Sequence, residues 1–351
     1  MGDLFFHRGA SFLQKVHKHG NLRLQFRNNL IYSYDVHTSS PSPNYLTPET
    51  STMKIAVSGS SGLVGHALCG LLAEEQHDVC KLVRRTADND HEIEWNIESG
   101  QLATDKLNAC DAVVHLAGEN ISEGRWSTAK KKRIRESRVN GTAMVCSTLA
   151  GMERPPRTLI AASAIGYYGS RGEMVCTETS PPGDDFLADV CVAWEQATQP
   201  ARDVGIRVVN LRIGVVLSCE GGALKKMLPP FRFGLGGRIG NGQQFWSWIT
   251  LHDLIHVISR CLSDDSLSGP VNAVSPNPAT NLDFTKELGK ALGRPTIFPM
   301  PAPIARLVFG EMGEALILAS TRVAPERLQQ VGHPFEHATL EDTFKQLFKT
   351  Q

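Results

Sequence analysis

Three glycines, Gly59, Gly62 and Gly65, have the spacing of a turn that receives a phosphate group. They follow an apolar run and precede a pattern in which apolar residues recur at helical spacing from Leu63 to Leu72. Such a turn lets backbone N–H groups and the positive end of the helix approach a pyrophosphate, because no Cβ stands in the way. The spacing differs from the commoner G-x-G-x-x-G fingerprint, and a sharp turn without a ligand is the alternative. The flanking strand and helix favour a nucleotide site built from Gly59, Ser60, Ser61, Gly62, Leu63, Val64 and Gly65.

The second predicted strand ends in two arginines. It runs from Asp78 to Arg85, and Arg84 and Arg85 fall where a dinucleotide fold meets the adenosine ribose. An acidic residue there accepts the 2′-hydroxyl of NAD, whereas an arginine accommodates the 2′-phosphate of NADP. Asp88 and Asp90 lie too far beyond the strand to serve. The sequence therefore predicts NADP as the cofactor; the alternative is an exposed basic strand end with no ligand.

The elements that must position these residues alternate along the chain. Further strands are predicted at 111–118, 157–164 and 206–217, and a long basic helix at about 128–149. Strands separated by helices predict an α/β fold with a Rossmann-type doubly wound parallel sheet, whose ligands bind beyond the carboxyl ends of the strands. The candidate residues at or near such ends are the glycine turn, Arg84, Gly118, Ser163 and Arg212.

The composition argues against several kinds of partner. Lys+Arg and Asp+Glu number 36 each, so no net charge favours nucleic acid or a membrane surface. No apolar stretch approaches the ~20 residues that span a bilayer. The eight cysteines are scattered without a C-x-x-C pair, which favours buried free thiols in a reducing compartment over disulfides or a zinc site. We therefore expect a cytoplasmic protein with a small-molecule substrate and no metal, and we leave a homodimer open.

The first 52 residues stand outside the periodic pattern. They are basic and acid-poor, which fits a mitochondrial or plastid transit peptide, but a start assigned too far upstream explains them equally well because Met53 directly precedes the first strand. Either way we expect a disordered leader. Residues 53–220 are predicted to form the NADP-binding domain, with a further strand and helix at about 249–290. Residues 221–248 and 291–351 are predicted to form a substrate-side loop and a small C-terminal domain.

From Met53 to about Phe348 the sequence resembles the extended short-chain dehydrogenase/reductase superfamily, and within it the atypical subgroup of epimerase family proteins. The motifs that carry the resemblance are Gly59-x-x-Gly62-x-x-Gly65, Leu116-Ala117-Gly118-Glu119-Asn120-Ile121, Ser163-Ala164-Ile165-Gly166-Tyr167-Tyr168-Gly169, Arg212-Ile213-Gly214-Val215-Val216-Leu217 and, most distinctively, Gly240-x-Gly242-Gln243-Gln244-x-x-Ser247-Trp248-Ile249. The resemblance implies that the glycines cradle the NADP pyrophosphate and that residues after the second strand hold its 2′-phosphate. It further implies cofactor contacts from Leu116, Ala117, Gly118, Trp95, Asn96, Glu119 and Arg125.

The sequence departs from the superfamily where proton transfer takes place. Active members carry a Tyr-x-x-x-Lys pair on the helix after the serine strand, whose lysine lowers the tyrosine pKa. Counted from Trp194, the pair should fall at Leu187 and Cys191, and neither residue can replace it. Arg138 stands where active members have a helical asparagine. Asp189 is the titratable residue left on that side of the helix, and we include it among the candidate cofactor contacts.

Two hypotheses for the function follow. In the first, the protein is an NADP-dependent oxidoreductase or epimerase of a small carbonyl or sugar-like substrate, in which Ser163 orients a substrate oxygen and Tyr167 or Tyr168 replaces the missing tyrosine. The loop from Gly234 to Trp248 would then close the nicotinamide pocket, unless its tryptophans serve only for packing. In the second, the protein binds NADP without catalysis and has a regulatory or scaffold role. We expect weak turnover at best.

Overall fold

The computed structural model describes residues 52–349 and, before them, the backbone of two short strands. These strands, β1 (Val16–Lys18) and β2 (Asn21–Arg23), pair antiparallel within a separate unit formed by the first 50 residues. The prediction of a disordered leader otherwise lies outside the described residues. Everything below concerns the second unit, which begins at Ser51.

An eight-stranded sheet forms the centre of this unit, in the order β14-β10-β8-β7-β3-β4-β5-β6. Its strands are β3 (Lys54–Ser58), β4 (Asp78–Val83), β5 (Glu92–Asn96), β6 (Gln101–Leu102), β7 (Ala112–His115), β8 (Thr158–Ala164), β10 (Arg207–Ile213) and β14 (Gly269–Ala273). All neighbours are parallel except β5 and β6. The strand order reverses direction between β3 and β7, which is where ligands bind in such sheets. The predicted Rossmann-type fold is confirmed.

Shorter strands form small ladders beside the sheet. They are β9 (Val175–Cys176), β11 (Val215–Leu217), β12 (Phe245–Trp246), β13 (Trp248–Thr250), β15 (Ala279–Thr280) and β16 (Arg322–Val323). The helices are α1 (Leu63–Glu74), α2 (Thr104–Leu107), α3 (Thr128–Ala150), α4 (Phe186–Gln196), α5 (Gln199–Asp203), α6 (Gly222–Arg232), α7 (Leu251–Ser263), α8 (Asn281–Leu292), α9 (Ala302–Phe309), α10 (Glu311–Gly313), α11 (Glu326–Gln330) and α12 (Leu340–Lys349). Among residues 52–349, no helix is long and apolar enough to cross a membrane.

Helices cover both faces of the sheet, as the apolar patterns require. On one face, α1 and α7 bury Leu68, Leu72 and Val257 against strand residues such as Val57. On the other face, α3 and α5 bury Val145, Leu149 and Ala201 against alternate residues of the same strands. Because successive strand residues point to opposite faces, nearly every residue of β3, β7 and β8 is buried.

Two predicted elements are interrupted at glycines. The strand predicted at 206–217 divides at Gly214 into β10 and β11. Glycine is needed at this position because a Cβ would lie 2.7 Å from the Ser247 carbonyl oxygen. The helical pattern near 304–318 breaks at Gly310, whose φ of 61° is left-handed. In both cases the apolar periodicity continues across the break, so it did not reveal the change of direction.

Candidate functional site

The glycine turn joins β3 to α1 at the carboxyl end of β3, and two of its glycines are required by close backbone packing. A Cβ at Gly65 would lie 2.2 Å from the Gly59 carbonyl oxygen. Gly59 has a φ of 71°, and a Cβ there would lie 3.0 Å from the backbone nitrogen of Ala117. Gly62 differs from both. Its φ of −81° suits any residue, and a Cβ there would meet only the Gly59 carbonyl oxygen, at 3.3 Å. Gly62 therefore leaves one side of the turn open.

The open side lies at the N-terminus of α1. No side chain caps this helix end, and its first turn contains no acidic residue. The first N–H groups of a helix have no intrahelical partner, and together they carry partial positive charge. A bound phosphate group would accept hydrogen bonds from these N–H groups and would balance their positive charge, so this end of α1 fits a pyrophosphate.

A buried serine–histidine pair stabilises the backbone that packs against the glycine turn. Ser58 Oγ accepts hydrogen bonds from the backbone N–H groups of Leu116 and Ala117, at 3.1 and 3.3 Å, and lies 2.8 Å from His115 Nδ1. Both acceptor positions of the Ser58 hydroxyl are used, so the hydroxyl donates a hydrogen bond to Nδ1. His115 is then neutral, with its own proton on Nε2. Burial lowers the pKa of His115 to about 4. The pair holds Leu116 and Ala117 against Gly59, and it did not stand out in the sequence because both residues lie in buried strands.

The two arginines after β4 have different surroundings. Arg85 donates to both carboxylate oxygens of Glu92, at 2.8 and 2.6 Å, and pairs with Asp88 at 2.6 Å. Arg84 is exposed and makes no hydrogen bond or ion pair with any described residue. Arg84 is thus available to a ligand, whereas Arg85 holds its own loop together.

The other candidate cofactor residues occupy varied positions. Trp95 is 2% exposed and packs edge-on against His115, while Asn96 is exposed and caps a turn by accepting from the Glu98 and Ser99 N–H groups. Leu116 is half-buried, and Gly118 is exposed at the carboxyl edge. Asn96 and Gly118 are the exposed members of this set, and the cofactor contacts expected of all of them stay predictions.

Glu119 and Arg125 belong to the chain segment that follows β7. Glu119 Oε1 accepts from Lys130 Nζ at 2.7 Å, and this hydrogen bond lowers the pKa of the carboxyl group. Arg125 reaches the other way and donates to the carbonyl oxygens of Leu307 and Val308 at the end of α9. The segment therefore links the carboxyl edge of the sheet to the C-terminal helices.

Ser163 lies at the carboxyl end of β8 but is tied into a buried network. Its hydroxyl donates to Glu195 Oε1 at 2.7 Å, and Arg212 donates to both oxygens of that carboxylate, at 2.7 and 2.8 Å. Burial opposes the charge on Arg212, but the paired hydrogen bonds to Glu195 outweigh it and raise the pKa of Arg212. Ser163 is 2% exposed, so in this structure its side chain is buried and contacts the protein interior.

The two tyrosines after Ser163 are not equivalent. Tyr168 is fully buried; its hydroxyl donates to Asn272 Oδ1 at 2.6 Å and accepts from Arg212 at 3.0 Å. Burial raises the pKa of Tyr168 to about 12. Tyr167 is half-buried, and its ring stacks on the Arg212 guanidinium with 3.4 Å between centroid and Cζ. The Tyr168 residue has no exposure and both its hydrogen bonds are internal, so Tyr167 is the more accessible of the two; a role for either phenol stays a prediction.

The structure places Leu187 and Cys191 on α4, facing the turn after β8. A Cβ on Gly166 would lie 3.2 Å from Leu187 Cβ and 3.8 Å from Cys191 Sγ. Burial raises the pKa of Cys191 to about 12, so its thiol stays protonated. Asp189 is exposed one turn into α4, and the half-buried Arg138 donates to the Glu119 carbonyl oxygen at 3.0 Å. No described residue restores a tyrosine–lysine pair at this position.

The predicted pocket residues divide between two clefts. Tyr167, Glu195 and Arg212 line a cleft of about 680 Å³. Gln243 and Gln244 line another of about 490 Å³. The tryptophans at 246 and 248 are buried, 9% and 1% exposed, and each indole N–H donates to a backbone carbonyl. The structure therefore favours the packing interpretation of these tryptophans.

Three residues that complete the buried network were missed in the sequence. Asn272 accepts from Tyr168, Glu178 accepts from the Asn272 N–H at 3.1 Å, and Glu195 joins Ser163 to Arg212. The signal that could have found them is Arg212 itself. A cation inside an apolar strand requires a carboxylate partner, and Glu195 is one of the two acids on the neighbouring helix α4.

Comparisons with known proteins agree with this geometry. The profile of the NAD dependent epimerase/dehydratase family matches residues 55–273, and that of a domain of unknown function (DUF1731) matches residues 300–347. An epimerase family protein of Mycobacterium bovis is 43% identical over 286 residues, 82% of this chain and 94% of that protein. A relative in Arabidopsis thaliana, named as chloroplastic, is 34% identical over 85% of this chain and 88% of its own.

A solved structure is also similar over most of the chain. It is the human epimerase family protein SDR39U1 with NADPH, which is 33% identical and superposes with a TM-score of 0.78. The alignment covers 85% of this chain and all of that one.

Proposed function

Because the chain belongs to the NAD dependent epimerase/dehydratase family, we propose that it binds NADP(H) in preference to NAD(H) at the turn between β3 and α1. The observation that carries this preference is Arg84, an exposed guanidinium just after β4 that makes no hydrogen bond or ion pair with any of residues 52–349. The human relative solved with NADPH supports the same choice of cofactor.

The residues of the turn fit a dinucleotide. The N–H groups at the start of α1 would hold the pyrophosphate beside Gly62, and Arg84 would hold the 2′-phosphate. Bound NADP(H) would supply hydride transfer to or from a carbon atom of the substrate. The chain would bind and orient NADP(H) through the backbone of the glycine turn, which Ser58 and His115 keep in place.

Proton transfer is the weak part of this site. With Leu187 and Cys191 facing the turn after β8 and Tyr168 buried, Tyr167 is the remaining phenol near Ser163. General acid–base catalysis typically contributes about 10²–10⁴-fold. We therefore propose that the protein is an oxidoreductase or epimerase of a small carbonyl or sugar-like substrate with slow turnover on ordinary carbonyl compounds.

The second candidate function is NADP binding without catalysis, in a regulatory or scaffold role. The hydrogen bonds of the Ser163 and Tyr168 hydroxyls to Glu195 and Asn272 favour this role, because both hydroxyls are used within the fold in this structure. A panel of carbonyl compounds tested with NADPH separates the candidates. Oxidation of NADPH that depends on the added carbonyl supports the enzyme; binding without oxidation across the panel supports the second role.

The cofactor preference is tested by two matched variants, Arg84→Ala and Arg85→Ala, which remove the same charge from neighbouring positions. A charge-assisted bond to the 2′-phosphate is worth about 1.5–3 kcal/mol, so Arg84→Ala should weaken NADPH binding roughly tenfold or more and leave NADH binding nearly unchanged. Arg85→Ala should have a smaller effect, because Arg85 already holds Glu92 and Asp88. Equal affinity of the unmodified protein for NADPH and NADH would contradict the proposal.

We also propose a cytoplasmic location, with an organelle as the alternative if the first 52 residues act as a transit peptide. A fluorescent protein fused to the C-terminus of the full chain, and of a chain lacking residues 1–52, would distinguish them. Import that depends on the first 52 residues would overturn the cytoplasmic assignment.

A further inference from the structure

A cluster of metal-binding side chains lies at the opposite edge of the sheet from the glycine turn. Asp78, Cys80 and His91 each present one ligand atom, and these atoms lie within 4.8 Å of one another. Asp78 is the first residue of β4, and Gly59 follows the end of the parallel strand β3. The cluster therefore lies away from the proposed nucleotide site, and within residues 52–349 it is the one group of three or more such residues with this proximity.

A second thiol, Cys110, belongs to the same buried cluster as Cys80, but its sulfur is outside the group of three whose ligand atoms lie within 4.8 Å of one another. Cys80 is fully buried and Cys110 is 6% exposed, whereas His91 lies in an exposed loop just before β5. The three groups that lie together thus supply one sulfur atom, one imidazole nitrogen and one carboxylate oxygen, a set that suits zinc with a fourth position left for water.

The contacts within the cluster also allow an explanation without metal. His91 Nδ1 lies 3.1 Å from Asp78 Oδ1, and Lys54 Nζ lies 3.7 Å from Asp78 Oδ2, so an ion pair at the surface accounts for those three groups. It does not account for the Cys80 thiol, whose sulfur lies within 4.8 Å of the ligand atoms of Asp78 and His91. Lys54 and Lys106 oppose a divalent cation, and burial raises the pKa of Cys80, so the metal must compete with a proton for this thiol.

We propose that Asp78, Cys80 and His91 form a binding site for a thiophilic divalent cation, with Zn²⁺ as the best match. On binding, the Cys80 thiol loses its proton to solvent, and His91 exchanges its contact with Asp78 for the metal. The metal joins the start of β4 to the loop before β5. Because Arg84 and His91 lie at the two ends of the same loop, the metal would also restrain the segment that follows Arg84.

The test is a titration of the full chain, freed of metal with a chelator, against Zn²⁺ in competition with a chromophoric chelator. Co²⁺ in place of Zn²⁺ then reports thiolate ligands through its sulfur-to-metal absorption. We expect one Zn²⁺ per chain, a thiolate–cobalt band, and an affinity at least roughly tenfold lower for His91→Ala and for Cys80→Ser.

Two matched controls make the result specific. His66→Ala removes an exposed histidine from α1, and Cys146→Ser removes a buried thiol from α3; both should bind Zn²⁺ like the unmodified protein. His91 is exposed, so His91→Ala tests the site even if Cys80→Ser fails to fold. Absence of Zn²⁺ binding, a cobalt complex without a thiolate band, or binding unchanged in His91→Ala would overturn the proposal. The last outcome would locate the metal elsewhere, for instance at His17 or His19.

Discussion

The Ser163 hydroxyl donates to Glu195 Oε1 across 2.7 Å, and the carboxylate that receives it also neutralises the buried Arg212. A serine at the carboxyl end of a central strand is well placed to orient a substrate, yet here its proton is directed into the core. The same network engages the Tyr168 hydroxyl through Arg212. In this structure the polar groups after β8 stabilise the fold, and any catalytic use of Ser163 requires that its bond to Glu195 be broken.

Removal of the carboxylate should be costly. Glu195→Gln keeps the side-chain volume but leaves Arg212 as an uncompensated charge that is 3% exposed. Breaking a buried ion pair costs about 3–5 kcal/mol, so the free energy of unfolding should fall by that order in urea titrations. Glu341→Gln, which breaks surface pairs with Lys290 and Lys345, is the control and should be close to neutral. A similar stability for the two variants would show that the network is unimportant for the fold.

The two tyrosines should separate stability from activity. Tyr168→Phe removes a hydroxyl with two internal hydrogen bonds and should cost about 1–3 kcal/mol of unfolding free energy. Tyr167→Phe should change stability little, because no hydrogen bond from its hydroxyl to a described residue is present. If a carbonyl compound is reduced, Tyr167→Phe should slow that reduction more than Tyr168→Phe does. Turnover that is unaffected by Tyr167→Phe would mean that the acid lies elsewhere.

His115 should make the protein sensitive to mild acid. Its pKa is about 4 in the folded protein, against an ordinary value of about 6.5. As the pH falls from about 6.5 to about 4, His115 is protonated in the unfolded chain but not in the folded chain. The free energy of unfolding therefore decreases by roughly 3 kcal/mol over this range, and His115 causes no further decrease below it. His115→Asn retains an acceptor for Ser58 and cannot titrate. Its unfolding free energy should lose this part of the pH dependence, and an unchanged slope between pH 6.5 and 4 would refute the assignment.

The glycine turn offers a contrast between binding and folding. Gly62→Val points a side chain into the open side of the turn at an ordinary φ, so NADPH affinity should fall by at least about tenfold with the melting temperature nearly unchanged. Gly65→Ala should destabilise the protein instead, because its Cβ would overlap the Gly59 carbonyl oxygen. Fluorescence titration with NADPH and a thermal melt of each variant measure both effects. If Gly62→Val binds NADPH as the unmodified protein does, the turn is only a structural corner.

The segment after β7 should couple the cofactor edge to the C-terminal helices. Arg125 donates to the last carbonyl oxygens of α9, and Lys131 pairs with Glu311 at 2.6 Å. Arg125→Ala should therefore increase amide hydrogen exchange in α9 as well as in the segment itself. Exchange that rises only around residue 125 would mean that the link has no mechanical role.

Much of this protein was determined by local sequence. Apolar runs of period two and 3.6 identified the main strands and helices, and glycine spacing located the turn at the end of β3, because backbone preferences act over a few neighbouring residues. The two arginines after the second strand were evident from their position along one element, whereas the missing tyrosine–lysine pair followed only from the resemblance to the short-chain dehydrogenase/reductase superfamily.

Tertiary structure decided which of those residues remain available. Arg84 and Arg85 are neighbours of the same type. The position of Glu92 on the adjacent strand β5 shows that Arg85 is engaged, whereas Arg84 pairs with no residue in the part of the chain that the structure describes. Ser163 meets Glu195, and Asp78 meets Cys80 and His91, across distances that no local pattern encodes. Such contacts depend on strand register and on the face to which each side chain points. Both are set when the sheet and its helices pack together, so only the folded chain could reveal them.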